Sequence, residues 1–533
     1  MGNMTARQQL TYPFIACAIT LFFIAINFHY RPILPIDETR YVSVAWEMWL
    51  NNTWLVPHAN GLPYSHKPPL LFWLFSSMWT LFGTSEFITR LTIPLFVLLN
   101  LFLIRKLAQK IYPDNPQAAA LAPLVLCSGL GWFLYSGMIM FDLLLTVFVQ
   151  TAMLSVWKYA ETRRMVWIVS GGVAIGLGLL TKGPVTFIYL IPFVALVKWW
   201  NPDPQANHTA ILKASVVMAA IGILIILAWA IPAAVVGGQD YAYAIFWGQY
   251  AGRIHESFAH ARPFYWYLLL LPVLIFPWPF LVGFWRSGLW NNNQNSDKFC
   301  LAMFTIILAV FSCFSGKQLH YLFPAFPVLA IWASNKLRPE KFNLEPVVII
   351  FLAAATIAIF SASLWAPQVF RNAESANVIP WWGVLPLVLT ALVMKPNVLT
   401  SSRLALHIIA VLLSLSALLA SISPMINEIY NVTPIAQQIN ALQRQGNKVA
   451  YVGKYQNTFG YAGKLTAPIE QAPNNPNALQ NYLQETQGYT VLIQKKPDIA
   501  QNINAILATP YRGGWLYIVD NQRYAAQMEL ASE

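Results

Sequence analysis

The sequence predicts an α-helical polytopic membrane protein with about 13 spans, followed by a small α/β domain. Three observations carry this. Of 533 residues, 57% are hydrophobic and 10% charged, against about 25% charged in an average soluble domain, and mean hydropathy is +0.51. Apolar runs of about 18–22 residues, the length that fits a bilayer, recur along most of the chain. From Asn431 onwards those runs stop.

The expected spans are 11–28, 88–108, 118–137, 143–160, 166–181, 184–199, 214–236, 265–285, 299–316, 320–335, 346–366, 380–394 and 404–423. The first lacks a small-residue cleavage site and reads as a retained span. Residues 68–83 open with Pro68-Pro69, are short for a span, and read as a juxtamembrane helix. The positive-inside rule supports that reading. With Arg7 in the cytoplasm, the pairs Arg105-Lys106 and Arg163-Arg164, then Lys213, Lys298, Lys336 and Arg403, all fall on the same side. Counting 68–83 as a span would invert them.

The opposite, extracytoplasmic side then receives 29–87, Asp142, Lys182, 237–264, 317–321 and the C-terminal tail. The chain divides into a transmembrane domain over 1–430, with an outer loop of juxtamembrane helices at about 29–87, and a soluble domain over 431–533. In the latter, 433–445 reads as a helix with Thr433 as cap and Pro434 at its first position. Residues 448–452, 489–493 and 515–519 read as strands, and 474–477 carries turn signals. It shows no catalytic motif and reads as a packing or partner domain. The net charge of +12 belongs to the short loops and does not indicate nucleic acid. Cys17, Cys127, Cys300 and Cys313 lie in apolar runs and read as small buried hydrophobes.

The chemistry concentrates in the outer loops. Asp37-Glu38-Thr39-Arg40-Tyr41 and His66-Lys67-Pro68-Pro69 form a polar island beside the first span. Ionisable groups at a membrane edge are costly and usually serve an ion, a head group or a reaction. Arg40, three residues after Asp37, lies on its helix face; the pair is either a surface ion pair or an oriented active-site carboxylate. Asp142 opens a span and is either a helix cap, a functional acid, or both. Lys67, fixed by the prolines that follow, suits a phosphate head group or simply snorkels to the interface. Arg253, His255, His260 and Arg262 share one outer loop, and Lys317, His320 and Tyr321 another. Together they offer cations and a phenol for a phosphate or diphosphate. His66, His255 and His260 with Asp37 are candidates for a divalent metal, though none has a standard ligand spacing.

Asp37-Glu38-Thr39-Arg40-Tyr41, Trp54, Val56-Pro57, Asn60-Gly61, Tyr64 and Lys67-Pro68-Pro69-Leu70 resemble the lipid A 4-amino-4-deoxy-L-arabinose transferases. They also resemble the wider family of polyprenyl-phosphate-sugar-dependent transferases related to protein O-mannosyltransferases. Further matches are Phe141-Asp142-Leu143-Leu144-Leu145-Thr146, Leu180-Thr181-Lys182-Gly183-Pro184, Pro263-Phe264-Tyr265-Trp266-Tyr267 and the run from Lys317-Gln318-Leu319-His320-Tyr321 to Pro324.

The resemblance implies a GT-C fold and a glycosyltransferase working at the periplasmic face of the bacterial inner membrane. By matched position it implies Asp37 and Asp142 as the catalytic carboxylates. Lys67, Arg253 and Tyr321 would hold the phosphate of an undecaprenyl-phosphate sugar donor, with Arg40 beside Asp37. His66, Lys182 and Lys317 would stand behind them. The acceptor would be lipid A or a related outer-face molecule. One departure is that the aminoarabinose branch has a glutamate where this chain has His66. In that branch the glutamate pairs with a loop histidine as a metal site, and the corresponding loop position here is Gly248. Two alternatives remain: transfer to protein Ser/Thr or a glycan, and a transporter or flippase. Against the latter, the ionisable groups sit in loops rather than mid-span, with no inverted repeat of broken helices.

Overall fold

The hydrophobic N-terminal run forms α1 (Ala6–Tyr30), and the chain then enters the polar island at α2 (Asp37–Leu50). The computed structural model describes residues 6–203, 207–248, 261–289, 294–369, 377–395, 400–494 and 505–530. A hairpin of β1 (His58–Ala59) and β2 (Leu62–Pro63) follows α2. Its turn is Asn60-Gly61, with φ of 56° and 80°, the left-handed pair a two-residue hairpin turn needs. α3 (Leu70–Phe82) has 13 residues, about 20 Å and so well short of a bilayer. Leu81, Phe82 and the following Phe87 are exposed and leave an apolar surface at this end of the bundle.

The bundle continues with α4 (Glu86–Ile111), capped by Ser85. Next come α5 (Pro116–Ser128), α6 (Leu130–Tyr135), α7 (Phe141–Thr162) and α8 (Met165–Lys182). α9 (Thr186–Ala195), α10 (Val197–Trp200) and α11 (His208–Tyr243) follow. After them come α12 (Trp266–Leu274), α13 (Val282–Arg286), α14 (Asn295–Cys313) and α15 (Phe326–Lys336). α16 (Pro346–Phe360), α17 (Ala362–Val369), α18 (Val384–Val393) and α19 (Thr400–Tyr430) complete it. α8 lies against α7 and α11. A Cβ on Gly172 or Gly176 would come within 2.6 to 2.7 Å of Ile221 or Ile225 on α11. Two glycines four apart thus let the backbones approach as closely as membrane helix pairs allow.

Among the described residues, seven helical stretches are long and apolar enough to cross a membrane, and the α16–α17 pair, bent by 82°, makes eight if counted as one span. Several of the about 13 expected runs are broken, so they do not form single long helices. The run 118–137 is interrupted at Gly129, 265–285 around Pro277, and 320–335 opens with a 3₁₀ turn at Leu319–Ala325. Proline and glycine open the backbone ladder there, and packing inside the bundle lets the interruptions persist.

Beyond α19 the chain forms α20 (Thr433–Arg444), β3 (Val449–Val452), β4 (Glu470–Ala472) and α21 (Pro476–Glu485). β5 (Tyr489–Gln494), β6 (Ala505–Tyr511), β7 (Gly514–Asp520) and α22 (Asn521–Leu530) follow. The mixed sheet has the order β4-β3-β5-β7-β6, with β3 parallel to β4 and β5 and the rest antiparallel. Two expectations need correction. The cap of α20 is Val432, with Thr433 as first helical residue and no side-chain cap bond. The 474–477 turn is a helix start, where the Asn475 side chain accepts from the Asn477 and Ala478 amides. β4 and β6 are strands that the sequence reading did not anticipate. β4 is only three residues long, and β6 carries Pro510 on an edge, the one place in a sheet that tolerates it.

Candidate active site

Asp37 and Glu38 are neighbours, but on a helix adjacent side chains point about 100° apart. They do different work. Glu38 is sealed, with its side chain 2% exposed. It accepts from both Arg31 Nη atoms (2.6 and 3.2 Å), from Leu34 N (2.8 Å) and from Ile139 N (2.7 Å). Burial by itself would raise its carboxyl, yet Arg31 and the two amides bring it below the usual range. Arg31 also donates to the Gly137 carbonyl at 2.6 Å. This clamp ties the first outer loop to the turn that precedes α7.

Asp37 is instead 46% exposed and pairs with Arg40, three residues on. The Arg40 guanidinium lies 5.7 Å from the centre of the Tyr41 ring. Lys67 Nζ lies 5.8 Å from the centre of the Phe141 ring. Tyr41 (4.8 Å) and Phe72 (5.5 Å) meet the same ring edge-on. Phe141 is therefore the apolar hub that holds the first loop against the start of α7.

Asp142, in the first turn of α7, is buried and pairs with Lys182, while His320 Nε2 is 3.8 Å from its other oxygen. The N-cap position is Met140, which makes no side-chain cap bond. Lys182 is the last residue of α8, which Gly183 (φ 72°) and Pro184 terminate. Its ammonium lies 4.6 Å from the centre of the Tyr321 ring. The Tyr321 carbonyl accepts from Tyr189 Oη at 2.7 Å. Charge interactions from Asp142, Lys182, Lys67 and Asp37 all reach His320, so these groups belong to one cluster. Counting Arg40, Lys67 and Lys182 against Asp37 and Asp142 gives three cations to two carboxylates. One net positive charge at the end of a helical bundle suits an anionic ligand.

The structure leaves some expected residues elsewhere. Lys317 is held by backbone. Its ammonium donates to the Arg262 carbonyl (3.0 Å) and to that of Phe314, so it staples two loops instead of facing the cluster. Arg253, His255 and His260 lie outside the described residues. His66 is exposed beside the Tyr64 ring. Among the described residues, no three His, Cys, Asp or Glu side chains assemble as a metal ligand set. A cavity of about 220 Å³ lies nearby, lined by Thr39, Glu86, Tyr461 and Lys464 among others, and includes none of the clustered charges. The clamp of Glu38 and Arg31 escaped the sequence reading. Its signal was the Asp37-Glu38 doublet itself, since two adjacent acids on a helix cannot both face one ligand.

Residues 66–235 match the family model described as dolichyl-phosphate-mannose-protein mannosyltransferase. An undecaprenyl phosphate-alpha-4-amino-4-deoxy-L-arabinose arabinosyl transferase of Erwinia tasmaniensis is 30% identical over 309 residues, 56% of this chain and 55% of that protein. One from Pseudomonas fluorescens is 29% identical over 344 residues, 63% of this chain and 60% of that protein. The match thus spans little more than half the length of these curated relatives. Among solved structures, ArnT from Cupriavidus metallidurans bound to undecaprenyl phosphate superposes with a TM-score of 0.71. It is 17% identical, over 95% of this chain and 97% of that one. The chain has that protein's GT-C fold, and the resemblance read from the outer-loop motifs is borne out.

Proposed function

We propose that this chain, a GT-C-fold relative of the undecaprenyl phosphate-aminoarabinose arabinosyl transferases, moves a sugar from undecaprenyl phosphate to lipid A. The reaction would run on the periplasmic face of the inner membrane, the side to which the Lys/Arg bias assigns the cluster. The observation that carries the reading is the cluster itself: Lys67 beside the Asp37–Arg40 and Asp142–Lys182 pairs, with a net positive charge.

Transfer breaks the bond between the sugar's anomeric carbon and the carrier phosphate and forms one to the acceptor oxygen. The leaving group is a phosphate monoester, so negative charge grows on its oxygens as the bond lengthens. Lys67, with Tyr321 as hydrogen-bond donor, supports that charge in a region partly closed to water. Arg253 joins them on the strength of the family motif alone. Asp37, exposed and oriented by Arg40, is the carboxylate a substrate can reach. A lipid A phosphate acceptor is already anionic and needs no strong base. Asp37 would then bind the sugar's amine or orient the acceptor. Asp142 is enclosed and pairs with Lys182, so its work is to hold that cation beside Tyr321.

A second reading changes only the acceptor. The family model over 66–235 is named for a protein mannosyltransferase, and with a Ser/Thr hydroxyl as acceptor Asp37 would take its proton. Supplying the purified protein with labelled lipid-linked sugar, lipid A and a peptide acceptor separates the two. Label in the lipid A fraction supports the first reading, and label in peptide supports the second. Release of the sugar to neither acceptor by wild-type protein, with Lys67→Ala equal to it, would sink both.

A further inference from the structure

We propose that the C-terminal domain completes the active site, with Gln456 as a positioning residue that holds Arg40, and through it Asp37, in working geometry. The inference rests on the glycosyltransferase reading above, because it assigns Gln456 to the same reaction.

The argument starts from α2. Residues 40, 43 and 47 recur at spacings of three and four and form one stripe of the helix. All three meet a single stretch of the distant domain. Arg40 Nη1 donates to Gln456 Oε1 at 3.2 Å, across 416 residues of sequence. Ser43 Oγ accepts from Tyr461 N at 2.9 Å. Glu47 accepts from Asn457 Nδ2 at 3.0 Å. Trp46, beside the stripe, donates from Nε1 to the Leu465 carbonyl at 2.8 Å. Gly460 lets the two backbones meet, since a Cβ there would stand 3.0 Å from Ser43 Cβ. Asn457 takes a left-handed φ of 55° as the segment turns onto the helix.

These contacts fix the rotation of α2. Tyr41, one turn after Asp37, then meets Phe141, over which the Lys67 ammonium lies, so the turn of α2 that carries Asp37 is held at that hub. Arg40 joins the two regions: one end of its guanidinium meets Asp37 and the other meets Gln456. Its side chain is 20% exposed, so solvent is a poor substitute for the lost partner. A carboxylate that meets substrate is thus oriented by an arginine that a second domain holds in turn.

The test pairs two substitutions of similar length. Gln456→Met removes the acceptor oxygen and Gln456→Glu keeps one. Gln456→Met is expected to lower kcat about ten- to a hundredfold with little change in the donor KM, the size of one lost hydrogen bond to a charged group. Gln456→Glu is expected to keep most of the activity. In an Arg40→Met background Gln456→Met should add no further loss, because residues acting through each other are not additive. A readout without turnover comes from Asp37, which is open to water. Its labelling by a water-soluble carbodiimide, followed by mass spectrometry, should quicken in Gln456→Met as Arg40 is released. Wild-type kcat and an unchanged labelling rate in Gln456→Met overturn the inference. So does equal damage from Met and Glu with a lowered melting temperature, which marks the segment as packing alone. Absence of turnover in the unmodified chain counts against the functional reading instead, and the labelling rates then decide the inference.

Discussion

Two acid–base pairs at opposite ends of the bundle use the same chemistry and differ in what surrounds them. At the start of α14, Asp297 is wholly buried. It accepts from Lys336, from Tyr112 Oη at 2.7 Å and from Asn335 Nδ2 at 3.2 Å. At the loop end, Asp37 pairs with Arg40 and keeps 46% of its side chain open. A carboxylate wholly buried among three protein donors holds the fold together and is closed to a ligand. A pair with capacity left over can take one. Burial and satisfied hydrogen bonds, and not charge as such, separate a staple from a site. Glu38 and Asp142 stand between these extremes, sealed like Asp297 yet next to the ligand side.

Four experiments break or sharpen this comparison. The largest effect belongs to Asp37→Asn, expected to lower transfer to a hydroxyl acceptor, where Asp37 takes the proton, by about 10²–10⁴-fold, and transfer to a phosphate acceptor by less, with an unchanged melting temperature. Near-normal transfer in detergent would erase the distinction. Asp297→Ala should do the converse. Leaving Lys336 buried without its carboxylate costs about 3–5 kcal/mol, so the protein melts earlier while turnover per folded molecule is retained. A selective loss of turnover would count against the staple. Glu38→Gln falls between: it weakens the clamp on Arg31 and Ile139, expected to cost about 1–3 kcal/mol and to lower kcat as the two loops drift. Full activity at reduced stability would show that the clamp does not set the site.

The last test concerns Lys464, whose ammonium donates to the Thr84 carbonyl at 2.8 Å and lies 3.3 Å from the centre of the Tyr461 ring. Burial pushes it down from 10.5 to about 7, with Glu86 pulling the other way. Between those values the unfolded chain binds more protons than the folded one, so stability should rise with pH from about 7 toward 10.5. Lys464→Met should flatten that rise in melting temperature. An identical slope in the variant would remove Lys464 as its source.

Much of this was legible in the chain. Composition and run length announced a membrane protein because a bilayer demands about 20 apolar residues per span whatever the fold. Asp37, Lys67 and Asp142 stood out because charge at a membrane edge is costly. Lys182 stood out through the family motif Leu180-Thr181-Lys182-Gly183-Pro184. The span count was less legible, since proline-broken runs and whole spans share the same hydropathy. Lys317 and Tyr321 looked alike as loop residues, and only the Arg262 and Phe314 carbonyls, which take up the Lys317 ammonium, set them apart.

By itself the sequence determined the class of molecule and the set of residue types available. Those depend on local composition and on the solvent each segment must meet. The tertiary structure alone decided which carboxylate stays open, which cation is spent on backbone and which distant residue holds Arg40. Those depend on burial and on hydrogen-bond partners up to 416 positions away, and no local pattern encodes them.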